Sequence, residues 1–145
     1  MSLQDWLKSR WLIKHQTSRQ EILDLLSMAD RDLAQCRTPN LSPDWQLNIA
    51  YNVALQAATA ALAAAGYRAA REGHHYRVIQ SLAYTIEADA SLIAQLDKFR
   101  KKRNIGSYER AGVVSDQEAK EMFVLAKNLR DEVERWLRLN HPELL

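Results

Sequence analysis

With one cysteine, four glycines and three prolines in 145 residues, the chain is short of the residues that staple, bend or break a backbone. A lone Cys36 excludes an internal disulfide framework and a cysteine-based zinc cluster. At its core-facing spacing it reads as a small buried hydrophobe in a reducing compartment. So few turn formers argue against an all-β protein, and a hydrophobic share of 47% argues against a disordered one. Long apolar runs are lacking too. Asp5, Lys8 and Arg10 interrupt the stretch where a signal peptide would need its apolar block, and no run approaches the roughly 18 apolar residues of a membrane span. The expectation is a cytoplasmic protein with no membrane contact. Nor is there excess charge of one sign. Twenty Lys plus Arg stand against eighteen Asp plus Glu, so any electrostatic recognition has to be local. Phosphate-cradling glycine loops, nucleophile elbows, histidine pairs at helical zinc spacing and calcium loops are all missing, and no cofactor is expected.

What the chain has is helical periodicity. The segment 1–17 reads as a short helix to about His15, with Leu3, Trp6, Leu7 and Trp11 on one face, packing on the bundle rather than on a membrane or partner. Ser18 and Glu21 form a capping box ahead of Ile22, Leu25, Leu26, Ala29, Leu33 and Cys36. Ser42 and Pro43 then start a helix over Asp44 to Ala65, ended by Gly66. Its broad arc of Leu47, Tyr51, Ala54, Leu55, Ala58, Ala61, Leu62 and Ala65 is small enough for a neighbouring backbone to approach closely. That places it at the centre of a bundle or at a subunit contact.

Glu72 to His75 open a third helix with Ile79, Leu82, Ala83 and Ile86 on its face. Adjacent His74 and His75 point about 100° apart and find no further ligand at helical spacing, so no metal site is expected. After a break near Asp89 comes a helix from Leu92 to Arg103, then an irregular loop bracketed by Gly106 and Gly112. Ser115 and Glu118 cap the last and longest amphipathic helix, which carries Ala119, Met122, Phe123, Ala126, Leu129, Val133, Trp136 and Leu137. No strand-like alternation is visible. The predicted fold is all-α, an antiparallel up-and-down bundle of four to five helices over 18–145 with the tryptophan helix as an extra.

Chemistry concentrates at one helix end. Leu92, Leu96 and Phe99 share a stripe whose next position is Arg103, a guanidinium where a core residue was due. Asn104, Ser107 and Tyr108 follow, and Lys98, Arg100, Lys101 and Lys102 surround the turn. An arginine with an asparagine can orient a phosphodiester, and a phenol can donate to it. Metal-free cleavage of RNA also needs a proton carrier active near neutral pH, which a phenol with an ordinary pKa of about 10 is not. The structural reading of the same residues is an arginine paired with a carboxylate such as Asp89 or Glu109 in a purely structural dimer.

RKKRNIGSYE, with ADRDLAQC, YNVALQAATAALAAAGYR and GHHYRVIQSL in that order, resembles the HEPN superfamily of small prokaryotic helical domains, over roughly Ser18 to Arg138. The resemblance implies an up-and-down bundle that forms a homodimer, bringing the polar motif of each subunit into a shared cleft. It also implies a toxin–antitoxin or defence setting, often beside a nucleotidyltransferase. Active members carry an arginine, then four to six residues, then a histidine. Arg103 and Asn104 match the start of that pattern, but Tyr108 stands at the histidine position, and His15, His74, His75 and His141 do not fit the spacing. The expectation is RNA or partner-protein binding through the Arg103 to Tyr108 cleft without cleavage. The alternative is a metal-independent endoribonuclease using Arg103, Asn104 and Tyr108, or a neighbouring histidine brought in by the fold.

Overall fold

The computed structural model describes the backbone of residues 1–108 and 114–145, and side chains outside 104–113. The chain is mostly helical, 72% by residue, with six α-helices and one two-stranded sheet among the described residues. In chain order these are α1 (Leu3–Lys8), β1 (Leu12–Lys14), α2 (Arg19–Gln35), α3 (Pro43–Ala64), β2 (Tyr67–Ala69), α4 (His74–Gln80), α5 (Ala90–Tyr108) and α6 (Asp116–Asn140). A 3-10 turn at Ser81–Ala83 follows α4, and another at Pro142–Leu144 closes the chain.

The helix starts obey local capping chemistry. Ser18, Ser42 and Ser115 each accept a hydrogen bond from the backbone N–H three residues on, and Pro43 occupies the first turn of α3. Only Ser115 completes a capping box, with Glu118 reaching back to the Ser115 N–H. The box expected at Ser18 is half made, because the Glu21 carboxylate turns instead to Thr17 and His15, at 2.6 and 2.7 Å. Gly66 ends α3 at φ +98°, a left-handed position closed to most side chains.

Helix α3 is the axis of the molecule. It packs most extensively on α6 and α2, and also touches α4, α5 and β2. Leu47, Ala50, Tyr51, Val53, Ala54, Ala57, Ala58 and Ala60 to Ala63 are all buried, so the helix is covered almost all round. Its alanines are thus consumed inside one chain, where they let α2 and α6 approach. It is also the one described helix long and apolar enough to match a membrane span, but 61% of that window is buried in the protein. Helices α2 and α6 each give one stripe to this core, Ile22, Leu26 and Ala29 from α2 and Met122, Ala126, Leu129, Val133 and Leu137 from α6.

Four expectations are corrected. The third helix stops at Gln80 and gives way to the 3-10 turn Ser81–Ala83, so Ile86 lies outside it and Ala83 is exposed. The first helix stops at Lys8, a turn with Arg10 at φ +64° follows, and residues 12–14 form β1 rather than more helix. Strand β1 pairs antiparallel with β2, Leu12 opposite Ala69, Ile13 opposite Arg68 and Lys14 opposite Tyr67. With three residues per strand, any alternation is too short for a pattern search to find, although Tyr67 and Ala69 do turn inward around an exposed Arg68. Finally, α5 runs on to Tyr108 instead of stopping at Arg103, so Asn104 and Ser107 lie on helical backbone.

Candidate functional site

The Arg103 end of α5 meets α3 and α4. Leu96 and Phe99 are buried, which fixes the roll of α5 and carries Arg103 onto the protein face as the stripe required. What receives it is an aromatic ring. The Arg103 Cζ lies 5.1 Å from the centroid of Tyr51, a cation–π geometry, and its Nε is buried without a hydrogen-bond partner among the described residues. Tyr51 itself is fully buried in the middle of α3, and its hydroxyl is likewise without a partner among the described residues. Burial pushes the Tyr51 phenol up to about 12 against the pull of Arg103 and Arg100, so it stays neutral.

His75, in the first turn of α4, also adjoins that ring, with centroids 5.9 Å apart and the planes tilted by 47°. Its pKa is held below the ordinary 6.5, first by burial and then by the charges of Arg103, His74 and Arg100. Near neutral pH His75 is therefore an uncharged imidazole beside two guanidiniums. The basic surround separates into different roles. Arg100 donates from Nε to the Asp97 carboxylate at 2.8 Å while its Cζ sits 5.5 Å from the Tyr76 ring. Lys101 reaches the same carboxylate at 3.4 Å, and Lys102 is turned away to Glu118, at 3.4 Å. Lys98 is exposed, with its ammonium 5.9 Å from the Phe99 ring. The side chains of Asn104, Ser107, Tyr108 and Glu109 lie outside the described residues. Asp89 is occupied as the cap of α5, accepting from the Leu92 N–H at 2.8 Å.

Sequence reasoning found Arg103 and missed the ring and imidazole that flank it. Tyr51 reads as one more core residue at helical spacing, and His75 invited only a metal test. Among the described residues no set of three metal-ligating side chains exists, and the His74 and His75 rings stand 5.8 Å apart at an inclined angle. The available signal was that Tyr51 alone brings a hydroxyl to an otherwise aliphatic stripe.

Two hollows lie elsewhere. A mostly apolar one of about 350 Å³ is lined by Cys36, Arg37, Phe123 and Val124. Burial raises the Cys36 thiol to about 11, which makes it inert rather than nucleophilic. Another, of about 270 Å³, holds His15, Glu21 and His74, where Glu21 is already satisfied by Thr17 and His15. Arg103, Tyr51 and His75 line neither of these two hollows.

Comparison with known proteins finds no matching family model, no matching curated protein and no matching solved structure.

Proposed function

We propose that the chain is a HEPN-like domain, an antiparallel up-and-down helical bundle that forms a homodimer and binds RNA at the Arg103 end of α5, in a toxin–antitoxin or defence setting. The observation that carries this reading is the charge of Arg103. It is held over Tyr51 by a cation–π contact, with no ion pair to a carboxylate among the described residues. An arginine already desolvated on one side and pre-aimed by a ring binds a phosphodiester with little further ordering. Arg100 adds a second guanidinium beside it, and the RKKRNIGSYE resemblance supports the same location. The homodimer rests on the resemblance alone, since the alanines of α3 are already used within the monomer. A nucleotidyltransferase-type protein is the partner the resemblance implies.

A second reading is favoured by one placement. His75 supplies near Arg103 the imidazole that Tyr108 does not, so a metal-independent endoribonuclease would use His75 as proton carrier with Arg103 on the phosphate. The experiment mixes the purified full chain with labelled total cellular RNA, with and without EDTA, beside Arg103→Ala and His75→Ala. Retention of intact RNA by the parent, weakened about 10- to 100-fold by Arg103→Ala with the melting temperature lowered by no more than about 5 °C, is the expected result. Cleavage that survives EDTA and disappears in both variants would establish the second reading. No RNA binding at low salt would overturn both.

A further inference from the structure

Between the end of α2 and the first turns of α6 lies the hollow of about 350 Å³ walled by Cys36, Phe123 and Val124. Ligand pockets run from roughly 300 to 1,000 Å³, so this one suits a single small molecule rather than a peptide or a nucleic-acid strand. Val124 lies off the stripe by which α6 packs on the core and is 54% exposed. A lone exposed valine needs no explanation, but one that walls an apolar hollow leaves a face the fold itself does not cover.

The charge around the hollow is of one sign. Arg37 and Lys120 are the charged side chains that line it, and no carboxylate joins them. Other lysines close by find carboxylates, Lys127 on Asp131 along the same helix and Lys102 on Glu118. Lys120 finds none. Asp116 precedes it by one helical turn, the favourable order for a pair. Yet the Lys120 ammonium has no ion pair, hydrogen bond or ring contact among the described residues. Glu121, its neighbour, accepts from Gln117 instead. The Arg37 Cζ stands 5.3 Å from the centroid of Phe123, which keeps the guanidinium at the edge of the hollow. Its N–H groups have no hydrogen-bond partner among the described residues. A structural account covers the Arg37 contact, since it ties the end of α2 to α6. It leaves out Lys120 and the apolar hollow beside it.

We propose that this hollow binds a small amphipathic anion, its apolar chain or ring against Phe123 and Val124 and its carboxylate at Arg37 and Lys120. The proposal stands apart from the RNA reading. An apolar interior edged by two cations and no acid repels a cationic ligand and leaves a neutral one without a partner for either charge. A carboxylate meets both, taking paired N–H groups from the guanidinium and a point charge from the ammonium.

The test is calorimetric titration of the full chain with octanoate, octylamine and octanol, which share one chain length and differ in the charge of the head. Octanoate should bind once per chain, and octylamine and octanol at least about tenfold more weakly. Raised salt should weaken octanoate binding. Lys120→Glu and Arg37→Gln change exposed side chains, so the melting temperature should hold within about 2 °C. Octanoate affinity should fall about tenfold in the first and about threefold in the second. Val124→Trp, which fills the hollow from its exposed wall and leaves both cations in place, should abolish octanoate binding. The proposal is overturned if the parent does not bind octanoate, if octanoate and octanol bind alike, or if both charge variants bind octanoate as the parent does. Binding that survives Val124→Trp overturns it too, because the anion would then sit on the surface cations without the hollow.

Discussion

Two arginines emerge from helices onto the same central bundle and are treated in opposite ways. Arg130 on α6 is clasped by carboxylates. Its NH2 donates to Asp30 at 3.1 Å and Glu134 at 3.3 Å, and its Nε lies 2.8 Å from Asp30, too bent for a hydrogen bond but within ion-pair reach. Arg103 on α5 has a ring beneath it, and no ion pair among the described residues. Where α2, α3 and α6 meet, buried Asp32 is held by Gln56 and Arg31, while the Gln56 Oε1 and the Arg130 Nε have no hydrogen-bond partner among the described residues. At the junction of α3, α4 and α5, Tyr51 and Arg103 both keep a buried polar atom unpaired among the described residues. The difference lies in what meets the charge, carboxylates at Arg130 and an aromatic ring at Arg103.

The largest expected effect separates the two arginines by stability. Arg130→Ala should lose about 2 kcal/mol in denaturant unfolding, since it removes the packing of a mostly buried side chain together with its charged hydrogen bonds to Asp30 and Glu134. Arg103→Ala should lose less than about 1 kcal/mol, the worth of a partly exposed cation–π contact. Equal losses would erase the distinction and return Arg103 to a structural role.

A smaller effect probes the unpaired hydroxyl. Tyr51→Phe keeps the ring under Arg103 and removes a buried group without a partner, so unfolding should show a gain of about 1 kcal/mol. RNA affinity should hold within about twofold, because the ring is retained. A loss of stability would mean that the hydroxyl is satisfied in solution.

The smallest effect is one of pH. His75 has its folded-state pKa below the ordinary 6.5, so its contribution to stability is fully present above that value. It declines as pH falls through the folded-state pKa, because the unfolded chain takes the proton first. His75→Gln should flatten that part of the stability profile. Bound RNA, placing negative charge beside Arg103 and His75, should raise the His75 pKa in an NMR titration, and affinity should grow as the pH drops below about 6.5. A His75 signal unmoved by RNA would separate the imidazole from the binding site.

Most of the helical skeleton was legible without coordinates. Serines at 18, 42 and 115 mark starts because a hydroxyl there takes a backbone N–H that has no helical partner, and Gly66 marks a stop because it tolerates positive φ. The break near Asp89 also holds, since α5 begins at Ala90. The β1–β2 pair was not legible, as its register depends on where α1 and the end of α3 are brought together. The candidate site divides along the same line. Arg103 announced itself by falling on the stripe of Leu96 and Phe99, a relation between residues three and four apart on one helix. Tyr51 and His75 could not, because their nearness to Arg103 spans α3, α4 and α5.

What the sequence by itself determined is therefore what neighbours along the chain govern most strongly: the starts of α2, α3 and α6, the stop of α3 at Gly66, the faces these helices bury, and the misplaced arginine. The tertiary structure alone decided which side chains from distant helices share that arginine's surroundings. A cation over a ring and a depressed imidazole come from how α4 and α5 pack on α3. No periodicity in the chain encodes that contact.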